Sequence, residues 1–320
     1  MRYGSCDRVP CFGEGLRGEV LDAWRTQGMP PAMDPAQLFS IAPRQEIELD
    51  LDPRPTLSRW PTREDELAEF KRRLDPNDPK RLPRNWNRMV RSLETEDSVR
   101  MLRVHRGLFL SMGVIGWNRF NELMMLLVKE PDVVRSAMRI QGEFSAALTE
   151  RVLQDIEVDA AIFSEPIGGN DRPLISPAMY DDIVLTSYEP ILKVLKRYGV
   201  ETIIFRTYAN ARILIPKILR RGFNCLWACE VNIEAMDYRS LRREFGKNLR
   251  LIGGIDLDAL RRGKQAIHRE LNEKIPPLLA EGGYIPLADG RVRDDVSFEN
   301  YRYYRQRLLQ LTRKPCSRSV

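Results

Sequence analysis

The sequence predicts an α/β fold, a (β/α)8 TIM barrel that carries a Pro- and Arg-rich insertion near its N-terminus. Over the C-terminal two thirds of the 320-residue chain, short apolar runs alternate with long amphipathic helical patterns. The runs are nearly continuous in apolar residues, as expected for parallel strands covered on both faces. Three further candidate strands lie upstream. Together the runs number eight, the number that closes a barrel.

The elements follow in chain order. Upstream strands are predicted at 7–13, 38–49 and 104–113, and the later ones at 158–164, 201–205, 224–229, 249–254 and 282–288. Residues of about 50–100 are rich in Pro and Arg and are interpreted as an insertion that contains one charged helix, at about 62–74. The sequence thus indicates a single barrel domain over 1–312, followed by a basic tail at 313–320.

Composition limits the classes of function. Hydrophobic residues make up 43% of the chain, and no apolar stretch is long enough for a membrane span or a signal peptide, so a cytoplasmic protein without membrane contact is expected. The net charge of +6 is attributed to solvated helix faces, because no basic block is interleaved with aromatic residues as a nucleic-acid groove requires. Of the five cysteines, Cys225 and Cys229 are close in sequence. They lack the further ligands of a zinc set, so thiols are expected.

Acidic residues follow five of the predicted strands, at the end where a parallel barrel carries its chemistry. They are Glu14, Glu165, Glu230, Asp256 and Asp289. The run at 201–205 is followed instead by Arg206 and Tyr208, and Arg17 and Arg291 come soon after two of the acids. The repeated pattern indicates a site at the strand ends.

Helix capping is the competing interpretation, because Asp and Glu are favoured at helix N-termini. It is the preferred one for Asp256, whereas a site is preferred for Glu165 and Asp289. Acids crowded around an arginine have divergent pKa values, which suits acid–base chemistry or the binding of a cationic or hydroxylated substrate. A carboxylate-only Mg²⁺ or Ca²⁺ site is compatible with these residue types, but the spacing does not require one. His105, at the start of a predicted strand, and His268, within a helical pattern, are not assigned catalytic roles.

The chain resembles the uroporphyrinogen decarboxylase superfamily, which includes the methylcobalamin:coenzyme M methyltransferases. The resemblance spans nearly the whole chain and rests on these stretches: "DRVPCFGEGLRGEVLDAWRTQGMP", "NELMMLLVKEPDVVRSAMRI", "EPIGGNDRPLISPAMYDDIV", "LIGGIDLDAL" and "GGYIPLADGRVRDDVSFENYRYY". It implies a (β/α)8 barrel and is not specific for one reaction.

The chain departs from two branches of the superfamily. Decarboxylases carry Arg-Gln-Ala-Gly-Arg-Tyr after the first strand, where this chain has "FGEGLRGE" and only Arg17 as a counterpart. The thiol-methylating branch holds zinc through a His-x-Cys pair and a distant Cys. Arg206, Tyr208 and a residue near Asp289 stand at those positions here, so no zinc is expected and no residue is assigned as a metal ligand.

Three functions follow from the resemblance. The first is methyl transfer between a small methylated substrate and a corrinoid such as methylcobalamin, which a partner protein presents and this chain does not bind tightly. Asp289 or Glu165 would act as the general acid and Tyr208 would orient the substrate. The residues expected to bind substrate are Glu14, Arg17, Arg206, Glu230, Asp256 and Arg291. The second function is cofactor-free decarboxylation of a porphyrinogen-like polycarboxylate, and the third is a non-catalytic binding protein. A homodimer is compatible with either enzyme.

Overall fold

The computed structural model describes residues 3, 9–230 and 235–313. They form an α/β fold in two compact units. The central unit is Arg44–Asn224, and the terminal unit combines Met1–Pro43 with Cys225–Val320. The predicted basic tail lies, apart from Arg313, outside the described residues.

Parallel strands form the framework of each unit. In chain order the strands are β1 (Arg44–Glu48), β2 (Val99–His105), β3 (Ala160–Glu165), β4 (Thr202–Tyr208), β5 (Cys225–Cys229), β6 (Arg250–Ile255) and β7 (Tyr284–Ala288). In the central unit β1 to β4 pair in chain order, and in the terminal unit β5 to β7 do the same. The carboxyl ends of the strands within each unit therefore meet at one edge.

The helices connect these strands. They are α1 (Gly18–Thr26), α2 (Pro35–Leu38), α3 (Leu67–Arg72), α4 (Trp86–Thr95), α5 (Gly107–Ser111), α6 (Trp117–Lys129), α7 (Pro131–Asp155), α8 (Pro177–Met179), α9 (Glu189–Arg197), α10 (Ile215–Arg220), α11 (Tyr238–Phe245), α12 (Leu257–Arg261), α13 (Lys264–Glu281) and α14 (Phe298–Thr312). A π-helical turn, Tyr180–Leu185, continues α8. Several helices begin at a side chain that accepts a hydrogen bond from their own first turn, namely Asp34, Ser176, Asp237, Asp256 and Ser297. Among the described residues, no helix is both long and apolar enough to span a bilayer.

Each unit has its own apolar core. In the terminal unit Trp24 stacks on Tyr301 with ring centroids 4.8 Å apart, Phe39 meets Tyr301 edge-on, and Trp24 donates a 2.7 Å hydrogen bond to the carbonyl of Val296. These contacts fasten α1 and α14 together. In the central unit Phe163 of β3 packs against Tyr188 and Phe223, with ring centroids 4.9 and 4.8 Å apart.

The five later strand predictions are confirmed within a few residues, whereas the upstream ones need correction. The run at 104–113 is not one strand: β2 ends at His105, and Gly107–Ser111 is helix α5. Gly107 has φ +82°, a left-handed conformation that ends the strand. In the run 38–49 only Arg44–Glu48 is a strand. Of the run 7–13, residues 9–13 are not in a strand and the remainder lies outside the described residues.

The segment of about 50–100 connects the paired parallel strands β1 and β2. It contains α3, within the predicted charged helix, and also α4. Parallel neighbours require a crossover connection of this kind. The segment therefore lies in the crossover of a βαβ unit, and its interpretation as an insertion is not confirmed.

Candidate active site

An alternating set of charges covers one face of the central-unit sheet. Arg44, Glu46 and Glu48 alternate along β1, Arg103 of β2 pairs in register with Glu48, and Arg206 lies on β4. Arg206 donates a 2.9 Å hydrogen bond to Glu46, and Arg103 and Arg44 approach the same carboxylate at 3.2 and 3.3 Å. We call these five residues the arginine–glutamate face.

Glu46 is the centre of this face. Burial opposes ionisation of its carboxyl group, but the guanidinium groups of Arg206, Arg44 and Arg103 outweigh that effect and hold the pKa of Glu46 below its usual value. The side chains of Glu46 and Arg206 are 17% and 7% exposed. Arg206 is thus already committed to a carboxylate of the protein itself.

Glu165 lies on the opposite face of the same sheet. It pairs in register with Thr207, the neighbour of Arg206, and successive residues of a strand point to opposite faces. Its side chain is fully buried, and it accepts hydrogen bonds from the hydroxyls of Tyr188 at 2.5 Å and Tyr180 at 3.4 Å. The strand-end argument had predicted that Glu165 and Arg206 lie together. The structure instead places them on opposite faces of the sheet.

The pocket around Glu165 contains no guanidinium or ammonium group that contacts it among the described residues. Burial raises the pKa of Glu165 to about 7, although its hydrogen bonds from Tyr188, the backbone N–H of Leu108 and Tyr180 pull in the other direction. A Cβ atom on Gly107 would come within 2.5 Å of Glu165 Oε1. Glycine is therefore required where this turn crosses the carboxyl group.

His105 lies at the carboxyl end of β2, not at its start as predicted. The histidine Nδ1 accepts a 2.9 Å hydrogen bond from the N–H of Gly107. Complete burial, followed by the charge of Arg106, lowers the pKa of His105 to about 3. The imidazole is thus neutral at physiological pH, with its proton on Nε2, and it serves to hold the Gly107 turn.

Tyr208 ends β4 on the same face as Arg206 and is partly exposed. The glycine pair of "EPIGG" explains how the loop after β3 reaches it. A Cβ atom on Gly168 would come within 2.0 Å of the Tyr208 carbonyl oxygen, and the N–H of Asn210 donates a 2.9 Å hydrogen bond to Gly169. The loop therefore packs directly on the end of β4.

The terminal unit brings three predicted acids to one edge, after β5, β6 and β7. Asp289 is 6% exposed, and its carboxylate accepts a 3.2 Å hydrogen bond from the N–H of Leu257. Its carbonyl oxygen accepts a hydrogen bond from the N–H of Glu230. Glu230 is exposed and has φ +49°.

Asp256 caps helix α12. Its carboxylate accepts a 2.8 Å hydrogen bond from the N–H of Asp258, and Arg262 donates a 2.7 Å hydrogen bond to it. The capping interpretation of Asp256 is confirmed.

Other predicted binding residues have different environments. The Glu14 side chain is fully buried and accepts hydrogen bonds from Tyr301 at 2.8 Å and Tyr304 at 2.5 Å. It joins α14 to the N–H of Ala288 on β7, 3.3 Å away. Arg17 and Arg291 are exposed, and Arg17 pairs with Glu19 at 3.3 Å. Glu14 therefore has a role in packing, whereas Arg17 and Arg291 lie on the surface.

A match to a family model establishes the family of the chain. The model of uroporphyrinogen decarboxylase (URO-D) matches residues 106–288, more than half of the chain. This chain belongs to the uroporphyrinogen decarboxylase family.

Among solved structures, this member of the uroporphyrinogen decarboxylase family is similar to a methyltransferase from Methanosarcina mazei. The TM-score is 0.55 at 13% sequence identity, and the alignment covers 94% of each chain. At that identity the similarity supports a common fold. No functionally curated protein matches the sequence.

A zinc site does not fit the residues of this family member. Among the described residues, no three His, Cys, Asp or Glu side chains gather closely enough to hold a metal ion. Arg206, Tyr208 and Asp289, at the positions that the resemblance associates with zinc, supply neither thiolate nor imidazole. We therefore derive no chemistry through zinc.

Sequence reasoning missed Glu46, Glu48 and Arg103, because it searched only the residues that follow each strand. A signal was present in "RQEIE", where Arg44, Glu46 and Glu48 recur with the two-residue period of a strand. Charges with that period on a strand indicate that one face of the strand is polar.

Proposed function

We propose that this chain transfers a methyl group from an oxygen or nitrogen of a small methylated substrate to a corrinoid carried by a partner protein. The observation that carries the proposal is the ion pair between Arg206 and Glu46. Decarboxylation of a polycarboxylate needs arginines that accept substrate carboxylates. Glu46 already neutralises the most buried of the candidates, and Arg17 and Arg291 are exposed. The similarity to a methyltransferase structure supports the same choice.

In this proposal Asp289 is the general acid. When the methyl group leaves, the electron pair of the broken bond stays on the substrate oxygen or nitrogen, which departs readily only when it is protonated. The hydrogen bond from Leu257 N–H holds one carboxylate oxygen of Asp289 in place at the end of β7. Glu165 has no role in the proposed step, because its carboxyl group is fully buried and is held by the hydroxyls of Tyr188 and Tyr180.

The cobalt of the corrinoid supplies the methyl-accepting chemistry and acts as a second substrate. Its partner protein must reach the strand ends, where the loops of a parallel α/β fold carry the reacting groups. The acids after β5 and β7 suit a neutral or cationic methylated substrate better than a polyanion.

The test compares purified wild-type protein with Asp289→Asn. Methyl transfer from a panel of O- and N-methylated small molecules to a reduced corrinoid is followed by the change in corrinoid absorbance. Asn keeps the acceptor for Leu257 N–H but cannot donate a carboxyl proton, so the rate should fall by roughly 10²–10⁴-fold. Asp295→Asn, which changes an exposed acid that pairs with Arg261, is the matched control and should retain full activity.

A near wild-type rate in Asp289→Asn would remove Asp289 from the chemistry. Release of CO₂ from a porphyrinogen polycarboxylate without any corrinoid would instead establish decarboxylation. Binding of substrate without turnover of either kind would indicate the non-catalytic alternative.

A further inference from the structure

A cleft of about 320 Å³ opens on the surface of the terminal unit, beside α12 and α13. We call it the α12–α13 cleft. Its lining includes two alanines, Ala259 and Ala266, and otherwise consists of four charged side chains and one amide: Arg262, Gln265, Arg269, Glu270 and Glu273. The volume is at the lower end of the range for small-molecule sites, so the cleft has room for a compact ligand.

Two of the four charged side chains hold the residue that caps α12. Arg262 donates a 2.7 Å hydrogen bond to the carboxylate of Asp256, and Glu270 accepts a 2.7 Å hydrogen bond from the N–H of the same residue. Asp256 directly precedes Leu257, whose N–H bonds to Asp289. Arg262 and Glu270 are therefore engaged within the protein, and the cleft borders the edge that carries Asp289.

The other two charged side chains, Arg269 and Glu273, are exposed and form no hydrogen bond or ion pair with any described residue. They lie four positions apart on α13 and therefore on one side of the helix, about 6 Å apart along its axis. An arginine that precedes a glutamate by four residues is in the less favourable order for pairing within a helix. Both side chains are thus available to a ligand, and so is the amide of Gln265, one turn before Arg269.

The balance of charge in the cleft selects the class of ligand. A guanidinium group binds a carboxylate or a phosphate through paired hydrogen bonds, and a carboxylate accepts hydrogen bonds from an ammonium group. Two arginines and two glutamates line the cleft, so their formal charges cancel. A simple anion is attracted by Arg269 but repelled by Glu273, and a simple cation meets the opposite pair of forces. A molecule that carries both charges is attracted by both residues.

We propose that the α12–α13 cleft binds a small zwitterion, with its acidic group on Arg269 and its ammonium group on Glu273. The Gln265 amide donates a further hydrogen bond to the acidic group. The separation of about 6 Å between the two positions favours a molecule whose charges are several bonds apart, such as an ω-amino acid, over an α-amino acid with adjacent charges. This inference does not depend on the proposed methyl transfer.

The test is a ligand-observed NMR titration of the full chain with δ-aminovalerate. Valerate and pentylammonium, which carry one charge each, are the comparison ligands. The zwitterion should bind with a Kd on the order of 1 mM, the range that a few exposed charge-assisted contacts provide. Each comparison ligand should bind at least about 10-fold more weakly, because it loses one attraction and meets one like charge.

Substitutions locate the ligand. Arg269→Gln and Glu273→Gln should each weaken the binding of δ-aminovalerate by at least about 10-fold, because each removes one of the two charged contacts. Glu281→Gln is the matched control, since Glu281 is an exposed acid of the same helix that does not line the cleft, and it should retain full affinity. Circular dichroism verifies that all three variants are folded.

Three outcomes would overturn the proposal. One is wild-type protein that binds no δ-aminovalerate at roughly 20 mM, a concentration well above the expected Kd. The second is valerate that binds as tightly as the zwitterion, which would make the cleft a simple anion site. The third is an unchanged affinity for the zwitterion in folded Arg269→Gln and Glu273→Gln, which would place the ligand elsewhere on the molecule.

Discussion

Glu46 and Glu165 are carboxylic acids on strands of the central unit, the first partly and the second fully buried, yet their pKa values move in opposite directions. Three guanidinium groups surround Glu46 and keep it ionised. Glu165 receives only hydrogen bonds from neutral groups, and burial therefore dominates and raises its pKa to about 7. The ionisation of each acid therefore follows from the groups on its own face of the sheet: guanidinium groups around Glu46 and neutral donors around Glu165.

The raised pKa of Glu165 predicts a pH dependence of stability. An acid with a higher pKa in the folded state, here about 7 against an ordinary 4.5, binds its proton more tightly when folded. Its contribution to stability is complete below about pH 4.5 and declines as pH rises through about 7. The difference corresponds to about 3 kcal/mol of unfolding free energy.

Glu165→Gln isolates that contribution. The amide reproduces the neutral acid, because its oxygen accepts from Leu108 N–H and its nitrogen donates to a tyrosine hydroxyl. Urea unfolding between pH 5 and pH 8 should show wild-type protein losing up to about 3 kcal/mol relative to the variant. If the free energy of unfolding changed equally with pH in the two proteins, Glu165 would not titrate in this range. His105 stays neutral over that range, since burial lowers its pKa to about 3.

The pairing of strands β5 and β6 ends where a tyrosine hydroxyl forms hydrogen bonds with one backbone group of each strand. Their register ends at Trp227 and Ile252. The Tyr238 hydroxyl then accepts from Ala228 N–H at 3.0 Å and donates to the Ile252 carbonyl at 2.7 Å. Gly254 makes room for the ring: a Cβ atom there would lie 2.5 Å from Tyr238 Cδ2.

Tyr238→Phe should therefore destabilise the protein by about 1–3 kcal/mol, since it leaves two buried backbone groups without a partner and creates no cavity in the ring contact. Urea unfolding monitored by fluorescence measures the loss. Tyr303→Phe is the control, because the Tyr303 hydroxyl makes an exposed hydrogen bond with His268, and it should change stability by less than about 0.5 kcal/mol. Equal effects of the two substitutions would contradict the bridging role.

Helix α7 approaches the residues after the π-helical turn through Gly142. A Cβ atom at that position would lie 1.9 Å from the carbonyl oxygen of Ser187. Alanine normally stabilises a helix relative to glycine by about 1 kcal/mol. Here the clash is with backbone and cannot be relieved by a rotamer change, so the steric cost outweighs the propensity gain.

Gly142→Ala should consequently lower the free energy of unfolding by roughly 1–3 kcal/mol, the range of an overpacked core. Its control is Gly116→Ala, because no atom lies within 4 Å of the added Cβ at Gly116. Thermal unfolding of both variants gives the comparison. A Gly142→Ala protein as stable as wild type would show that the two segments do not approach so closely.

Across the whole chain, the sequence predicted where most strands lie but not which way their side chains point. The apolar runs locate β3 to β7, because burial on both faces requires continuous apolar residues. The face of Glu165 depends on the exact register, since a shift of one residue exchanges the two faces. The position of His105 was wrong for a related reason. The run 104–113 is apolar enough for a strand or a buried helix, and the change from β2 to α5 occurs at the left-handed Gly107, the first residue of α5. Long-range pairs such as Arg206 with Glu46 have no local signature at all.

The metal content of the molecule provides a last prediction. A structural or thiol-activating zinc ion requires about four nitrogen, sulfur or carboxylate ligands within bonding distance. The chain has two histidines: Nδ1 of the buried His105 accepts from Gly107 N–H, and His268 contacts Tyr303 on the surface. Cys225 and Cys229 lie on β5, and among the described residues no group of three or more His, Cys, Asp or Glu side chains could hold a metal ion.

Elemental analysis of purified protein should therefore find well under one zinc per chain, and treatment with a chelator should leave the melting temperature unchanged. One zinc per chain that disappears in Cys229→Ala would contradict this ligand census, and the thiol-activating chemistry of the zinc-dependent branch would then have to be reconsidered.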